Sequence, residues 1–156
     1  MENYAIVLAA GKGTRMRTEL PKCAYPILKK PMIEYILEGI EESVIDETTL
    51  VVGHRKEVFY DMLGERVQFV TQEEQLGTGH AVMMAKEALA NKQGTTIIML
   101  GDMPLVDSKV IDKMFRYHKD RNNDLTVLTT KFDNPKGYGR IVRSEDGIIE
   151  SIVEHI

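Results

Sequence analysis

The sequence of 156 residues contains a single cysteine, Cys23, and no tryptophan. One cysteine excludes a disulfide framework and a metal site built from several thiolates, and this usage is typical of the reducing cytoplasm. No apolar run approaches the roughly 20 residues that a membrane-spanning helix needs. The first residues show no cationic segment followed by a long apolar one, so no signal peptide is indicated. We therefore expect a cytoplasmic protein with no membrane partner.

The chain also lacks a large excess of charge of either sign. The formal net charge is −4, and no block of like charges interrupts the chain. This pattern gives no basic surface for a dedicated nucleic-acid partner. Hydrophobic residues make up 43% and charged residues 28% of the chain, as in an ordinary folded protein. The length suits one domain, so we predict a single domain over residues 1–156.

Short apolar runs alternate with segments of helical periodicity. Strands are predicted at residues 4–8, 48–52, 67–70, 95–100 and 125–130, and helices at 32–40, 56–63, 79–90 and 108–120, the last with Ser108 as its cap. This alternation predicts an α/β fold with a doubly wound, mostly parallel sheet. Ligands of such sheets bind beyond the carboxyl ends of the strands. We therefore expect the loops after Leu8, Val70 and Leu100 to converge on one site.

The first strand runs directly into a loop of small residues, with the sequence AAGKGTRM at positions 9–16. Exposed backbone amides of such a loop can surround an anion, and Lys12 and Arg15 add positive charge, so phosphate is the expected ligand. Met16 replaces the third glycine of the dinucleotide fingerprint, and the Walker spacing is absent. On these residues alone, an ordinary glycine turn after a strand is the alternative.

The loop after the third strand carries Gln72 and then Gly77-Thr78 at the start of a helix. An amide side chain can pair with the carbonyl and the N–H of a pyrimidine, and free N–H groups at a helix start attract polar ligand groups. A polar loop that merely caps the helix is the alternative. We assign His80 no metal-binding role, because no cysteine or second histidine lies near it in the sequence.

The fourth strand ends in Gly101-Asp102-Met103-Pro104. A carboxylate at a strand end suits Mg²⁺, which binds through one or two carboxylates plus substrate phosphates. We expect this strand, the most apolar, to lie near the centre of the sheet, and Gly101 to leave room for a phosphate-bridged ion. The alternative is an Asp-x-Pro turn whose carboxylate only accepts hydrogen bonds from the backbone.

Taken together, these motifs resemble a known family. The string LAAGKGTRM at 8–16, followed by Pro21-Lys22, resembles the signature of sugar-phosphate nucleotidylyltransferases. The strings QLGTGHA at 75–81, GDMPL at 101–105, KGYGRI at 136–141 and IVEH at 152–155 are similar to N-acetylglucosamine-1-phosphate uridylyltransferases, which in bacteria form the N-terminal domain of a bifunctional enzyme. The resemblance implies a Rossmann-like nucleotidylyltransferase fold. It also implies Mg²⁺-dependent formation of UDP-N-acetylglucosamine and pyrophosphate from UTP and N-acetylglucosamine 1-phosphate.

The resemblance further implies roles for individual residues. Uridine would be bound by the backbone of the first loop and by the second loop, through Leu8, Ala9, Ala10, Gly11, Gln72, Gly77 and Thr78, with Gly13 also in the substrate-binding loop. Arg15 and Lys22 would hold the triphosphate and act as catalytic residues. Asp102 would bind Mg²⁺, and Gly139 and Glu154 would contact the sugar. The sequence leaves a homo-oligomer open.

Two features depart from the family pattern. After Lys22 the family usually continues with an aliphatic pair and a histidine, where this chain has Cys-Ala-Tyr-Pro at 23–26. Beyond Ile156 the family continues into an Asn-Thr-Gly segment that binds sugar and an asparagine that helps hold Mg²⁺, so we expect the C-terminal part of the usual domain to be absent. An enzyme that makes a UDP-sugar, a UTP-binding module with little catalysis, and a transferase for another sugar 1-phosphate all remain open.

Overall fold

The computed structural model describes residues 2–11, 13, 16 and 18–153. Its backbone divides into two compact units, residues 1–124 and 125–156. The single domain over the whole chain stays a prediction. No helix in the described ranges is long and apolar enough to cross a membrane.

The first unit is built on a parallel sheet. Its elements in chain order are β1 (Glu2–Leu8), a 3-10 turn (Lys22–Ala24), β2 (Pro26–Ile27), β3 (Lys30–Pro31), α1 (Met32–Glu41), β4 (Glu47–Val52), α2 (Glu57–Leu63), β5 (Gln68–Thr71), α3 (Thr78–Met84), α4 (Lys86–Leu89), β6 (Gly94–Leu100) and α5 (Ser108–Asp120). The four-stranded sheet has the order β5-β4-β1-β6, and all three pairings are parallel. β2 and β3 form a separate antiparallel pair.

β1 is buried on both faces of the sheet. Ala5 and Val7 pack into the larger core cluster, while Ile6 between them packs into a second one. The larger cluster draws its helical residues from α1, α2 and α5: Ile33, Ile36, Leu37, Ile40, Phe59, Leu63, Ile111 and Phe115. The second cluster includes Ala81 of α3. Because side chains alternate along a strand, this arrangement requires helices on both faces and confirms the predicted doubly wound α/β fold.

β6 lies at an edge of the four-stranded sheet, so the prediction that it lies near the centre was wrong. Ile98 and Leu100 are 53% and 42% exposed, whereas Met99 between them is buried. The central strands are β1 and β4. An apolar run shows that a strand can be covered on both faces. The order of strands in a sheet depends on which distant segments pair with it, and the sequence of the strand itself does not show this.

The second unit contains an antiparallel hairpin of β7 (Arg140–Arg143) and β8 (Ile149–Val153). Residues 125–130 form no strand, which corrects the prediction of a fifth strand. Leu125 and Leu128 in this segment are 68% and 54% exposed. Strand propensity produces a strand only where a segment finds a pairing edge and covers its apolar side chains, and both leucines remain uncovered.

Two helix predictions also need correction. The helix predicted at 79–90 is divided into α3 and α4, with Ala85 between them. α5 begins at Ser108 as predicted, but its N-cap is Asp107, whose side chain accepts a hydrogen bond of 3.0 Å from the Val110 backbone N–H. Aspartate and serine are both preferred at this position, so two adjacent candidates leave the start of the helix ambiguous by one residue.

We expect Asp107→Ala to lower the free energy of unfolding by about 1 kcal/mol, because it removes the acceptor for an N-terminal amide of α5. Ser108→Ala should have a smaller effect, since Ser108 lies inside the helix. Urea unfolding of both variants measures the difference. A larger loss for Ser108→Ala than for Asp107→Ala would contradict the assignment of the cap.

Candidate functional site

A cavity of about 350 Å³ lies at the carboxyl ends of the strands in the first unit. It is lined by Leu8, Ala10, Gly11, Lys22, Cys23, Gln72, Gln75, Gly77, Thr78, Ala81, Leu100 and Asp102. Leu8 ends β1, Leu100 ends β6, and Gln72 directly follows β5. The expected convergence of three loops at this edge of the sheet is therefore observed.

Most of the site residues predicted from the sequence line this cavity: Leu8, Ala10, Gly11, Lys22, Gln72, Gly77, Thr78 and Asp102. Ala9 is buried in the core below, and its backbone N–H donates to Val51 O at 2.8 Å. Gly13 has a φ of +61°, and a Cβ there would lie 2.8 Å from Lys22 Cβ. Arg15 and Glu154 lie outside the described residues, and Gly139 belongs to the second unit.

The end of β1 is packed closely against its neighbours. The Gly101 N–H donates to Leu8 O at 2.8 Å. A Cβ at Gly101 would lie 2.8 Å from that same oxygen and 2.9 Å from Cys23 Sγ. A Cβ at Gly53 would lie 2.8 Å from Ala10 O. The expectation that Gly101 leaves room for an ion was therefore wrong, because the first loop and Cys23 already fill this space.

Lys22 and Asp102 form an ion pair on the cavity wall, with Nζ 2.5 Å from Oδ2. The pair joins the segment after β1 to the loop after β6. The side chains are 41% and 32% exposed, so both charges remain accessible from solvent. A cation suited to phosphate and a carboxylate suited to a hard metal ion are thus brought together, although they lie far apart in the sequence.

Cys23 follows Lys22 and forms an apolar part of the same wall. Burial, with a smaller contribution from the Asp102 charge, raises the pKa of Cys23 to about 12, while Lys22 acts in the opposite direction. The thiol is therefore neutral at physiological pH. Since the thiolate is the nucleophilic form, Cys23 contributes packing rather than nucleophilic chemistry.

Gln72 is only 3% exposed, and its side chain is held by two neighbours. Nε2 lies 3.1 Å from Gly77 O and 2.9 Å from His80 Nδ1. The sequence assigns His80 no metal-binding role, and its contact with Gln72 was not predicted. The contact depends on the turn at Gly77, whose φ is +100°, which brings the start of α3 back toward the end of β5.

The described residues contain no group of three or more histidine, cysteine, aspartate or glutamate side chains that could enclose a metal ion. The side chains of the described residues therefore do not suit a metal ion held by protein ligands alone. They do suit Mg²⁺ held by one carboxylate together with the phosphates of a ligand. Asp102 is the carboxylate that faces the cavity.

The chain matches the MobA-like NTP transferase domain over residues 5–145. It is 56% identical over 154 residues to the bifunctional protein GlmU of Acholeplasma laidlawii, and 50% identical over 155 residues to that of Enterococcus faecalis. Each match covers 99% of this chain and 34% of the relative. The chain thus spans about a third of the length of these curated relatives.

Solved structures with low sequence identity share the fold. One from Bacillus anthracis, assigned as a glucose-1-phosphate thymidylyltransferase and determined with sucrose, has a TM-score of 0.80 at 21% identity and covers 97% of this chain and 64% of its own. Rv0371c of Mycobacterium tuberculosis, determined with manganese, has a TM-score of 0.64 at 19% identity and covers 77% of this chain and 61% of its own. Both likenesses confirm the α/β fold of this chain.

We expect Gly101→Ala to lower the free energy of unfolding by roughly 1–3 kcal/mol, because its methyl group would overlap Leu8 O and Cys23 Sγ. Gly79→Ala is the matched control, since a Cβ there meets nothing within 4 Å. That change should raise stability by about 0.4–1 kcal/mol through the unfolded state. Urea unfolding tests both, and equal stability of the two variants would show that the first loop is not tightly packed.

Proposed function

The chain belongs to the MobA-like NTP transferase domain family, and from this premise we propose that it transfers the uridylyl group of UTP to N-acetylglucosamine 1-phosphate. The products would be UDP-N-acetylglucosamine and pyrophosphate. The observation that carries the proposal is the cavity, in which a loop of small residues, a buried amide and an accessible ion pair share one edge of the sheet. The identities of 56% and 50% to GlmU proteins support the choice of substrates.

The uridine would lie between the first loop and the start of α3. The backbone of Leu8, Ala10 and Gly11 lines one side of the cavity, and Gly77 and Thr78 line the other. Gln72 supplies a polar group at a largely apolar wall, an arrangement typical of sites that orient a flat ligand. In this proposal Gln72 identifies the base, and the loop fits closely because it carries no bulky side chains.

The phosphates would lie toward Lys22 and Asp102. Lys22, together with Arg15, would hold the triphosphate, and Asp102 would bind Mg²⁺ jointly with phosphate oxygens. When bound, Mg²⁺ would neutralise negative charge on the phosphates. In the free protein Lys22 and Asp102 neutralise each other at 2.5 Å, so ligand binding would replace one ion pair by two charged contacts.

Transfer of the uridylyl group requires that the two substrates be positioned and that the charge on the reacting phosphate be stabilised. A phosphate oxygen of the sugar phosphate attacks the α-phosphorus of UTP, one P–O bond forms, and the bond to the leaving pyrophosphate breaks. Such transfers depend on in-line geometry and on cations at the equatorial oxygens, and they need no protein nucleophile. The neutral thiol of Cys23 agrees with this requirement.

A UTP-binding module with little catalysis is the second candidate. It is favoured by Ile98 on the edge strand β6, a residue that is 53% exposed, so that one face of this strand is left uncovered. In this proposal, binding of uridine and triphosphate requires only residues of the first unit. The sugar contacts proposed for Gly139 and Glu154 are required only for transfer.

Pyrophosphate release separates the candidates. The chain is incubated with Mg²⁺, each of UTP, CTP, dTTP and ATP, and either N-acetylglucosamine 1-phosphate or glucose 1-phosphate. We expect release with UTP and N-acetylglucosamine 1-phosphate above every other pair. UTP binding in calorimetry without release would support the binding module instead. Release with glucose 1-phosphate alone would change the assigned sugar, and absence of UTP binding would overturn both candidates.

Asp102→Asn keeps the shape of the side chain but removes its charge, so the gain in UTP affinity caused by Mg²⁺ should disappear while the fold survives. Glu38→Gln is the matched control, because it breaks an ion pair of the same length, Lys30 Nζ to Glu38 Oε2 at 2.5 Å, away from the cavity. Calorimetry with and without Mg²⁺, together with a thermal melt, measures the effect. An unchanged metal dependence in Asp102→Asn would exclude Asp102 as a ligand.

Lys22→Ala should abolish turnover or weaken triphosphate binding, because one cation is lost from the phosphate end of the cavity. Loss of such a group typically costs roughly 2–4 kcal/mol in the transition state. Lys30→Ala removes the cation of the control pair and should leave UTP affinity unchanged. If Lys22→Ala and Lys30→Ala behave alike in UTP titrations and rate assays, Lys22 does not contact the triphosphate.

A further inference from the structure

The orientation of the Gln72 amide is fixed by its neighbours before a ligand binds. A backbone carbonyl oxygen can only accept a hydrogen bond, and Gly77 O lies 3.1 Å from one end of the amide. That end must therefore be the amide nitrogen, because the amide oxygen has no hydrogen to donate. The amide NH₂ group faces the turn before α3, so the expectation that it also donates to a carbonyl of the base needs correction.

The same NH₂ group indicates which ring nitrogen of His80 accepts a hydrogen bond. Its second hydrogen points to His80 Nδ1, 2.9 Å away. Since an amide nitrogen cannot accept a hydrogen bond, Nδ1 must carry a lone pair, and the ring proton must reside on Nε2. His80 is thus a neutral acceptor that holds the amide from one side while Gly77 O holds it from the other.

The amide oxygen is left to face the cavity. Among the described residues, no hydrogen-bond partner is seen for Gln72 Oε1. Every fully buried side-chain oxygen or nitrogen in the described part of the chain has such a partner. Oε1 is therefore not fully buried. Gln72 is 3% exposed and lines the cavity, so the access left to Oε1 is from the cavity.

An acceptor fixed at this point distinguishes pyrimidine bases. Uracil carries a proton on N3, whereas cytosine presents a lone pair there, so the amide oxygen bonds to the first and repels the second. We propose that His80 is a positioning residue for base selectivity, which acts by holding Gln72 Oε1 toward the base. This inference rests on the proposed function, in which the base of UTP lies at Gln72.

The test compares UTP and CTP affinities, measured by calorimetry with Mg²⁺, for the parent chain and five variants. His80→Ala removes the acceptor, and the preference for UTP should fall by about fivefold, the effect typical of one lost neutral hydrogen bond. His80→Asn restores an oxygen near the position of Nδ1 and should recover the preference. Met83→Ala, at a 65% exposed position of the same helix, controls for changes in α3 and should keep it.

The double variant Gln72→Ala/His80→Ala shows whether His80 acts through Gln72. Its UTP-to-CTP ratio should equal that of Gln72→Ala alone. A further fall in the double variant, or an unchanged ratio in His80→Ala, would overturn the inference while the proposed function stands. Absence of any UTP preference in the parent chain would overturn the proposed function itself. A nitrogen-15 spectrum of the free protein adds an independent check, because a proton on His80 Nδ1 would contradict the geometry.

Discussion

Burial of β1 on both faces is the constraint on which the candidate site depends. β1 pairs with β4 on one side and β6 on the other, and its alternating side chains enter two separate core clusters. Hydrogen bonds from Ala9 N to Val51 O and from Gly101 N to Leu8 O then tie the end of the strand to both neighbours. Because this end cannot move independently, the small residues that follow it form a fixed wall of the cavity.

The cavity combines two kinds of preformed interaction. At one part of its wall, a neutral amide is held by Gly77 and His80, and at another Lys22 and Asp102 hold each other. Hydrogen bonds to neutral groups give discrimination between bases, whereas accessible charges attract phosphate and metal ions. This division of roles agrees with a ligand that has a flat base at one end and a triphosphate at the other.

The sequence predicted the parts of this structure that depend on local patterns. The apolar run of β1, the spacing of Ile33, Ile36 and Ile40 in α1, and the positions of the three loops all rest on periodicity or on glycine chemistry. The edge position of β6 and the unpaired state of residues 125–130 depend on which strands meet, so propensity could not reveal them. The contact between Gln72 and His80 needed the geometry of the turn between them. The roles of all the predicted site residues stay predictions, both those that line the cavity and Arg15, Gly139 and Glu154.

The most direct test of the central claim, that UTP binds at the carboxyl end of β1, is a titration of the nitrogen-15 labelled chain with UTP and Mg²⁺ in an NMR experiment. The account predicts shifts in the backbone amide signals of Gly11, Gly77 and Thr78 and in the side-chain NH₂ signals of Gln72. Signals from the distant part of α1, such as Glu38, should stay in place. Shifts confined to α1 or α5, with these four residues unchanged, would contradict the account.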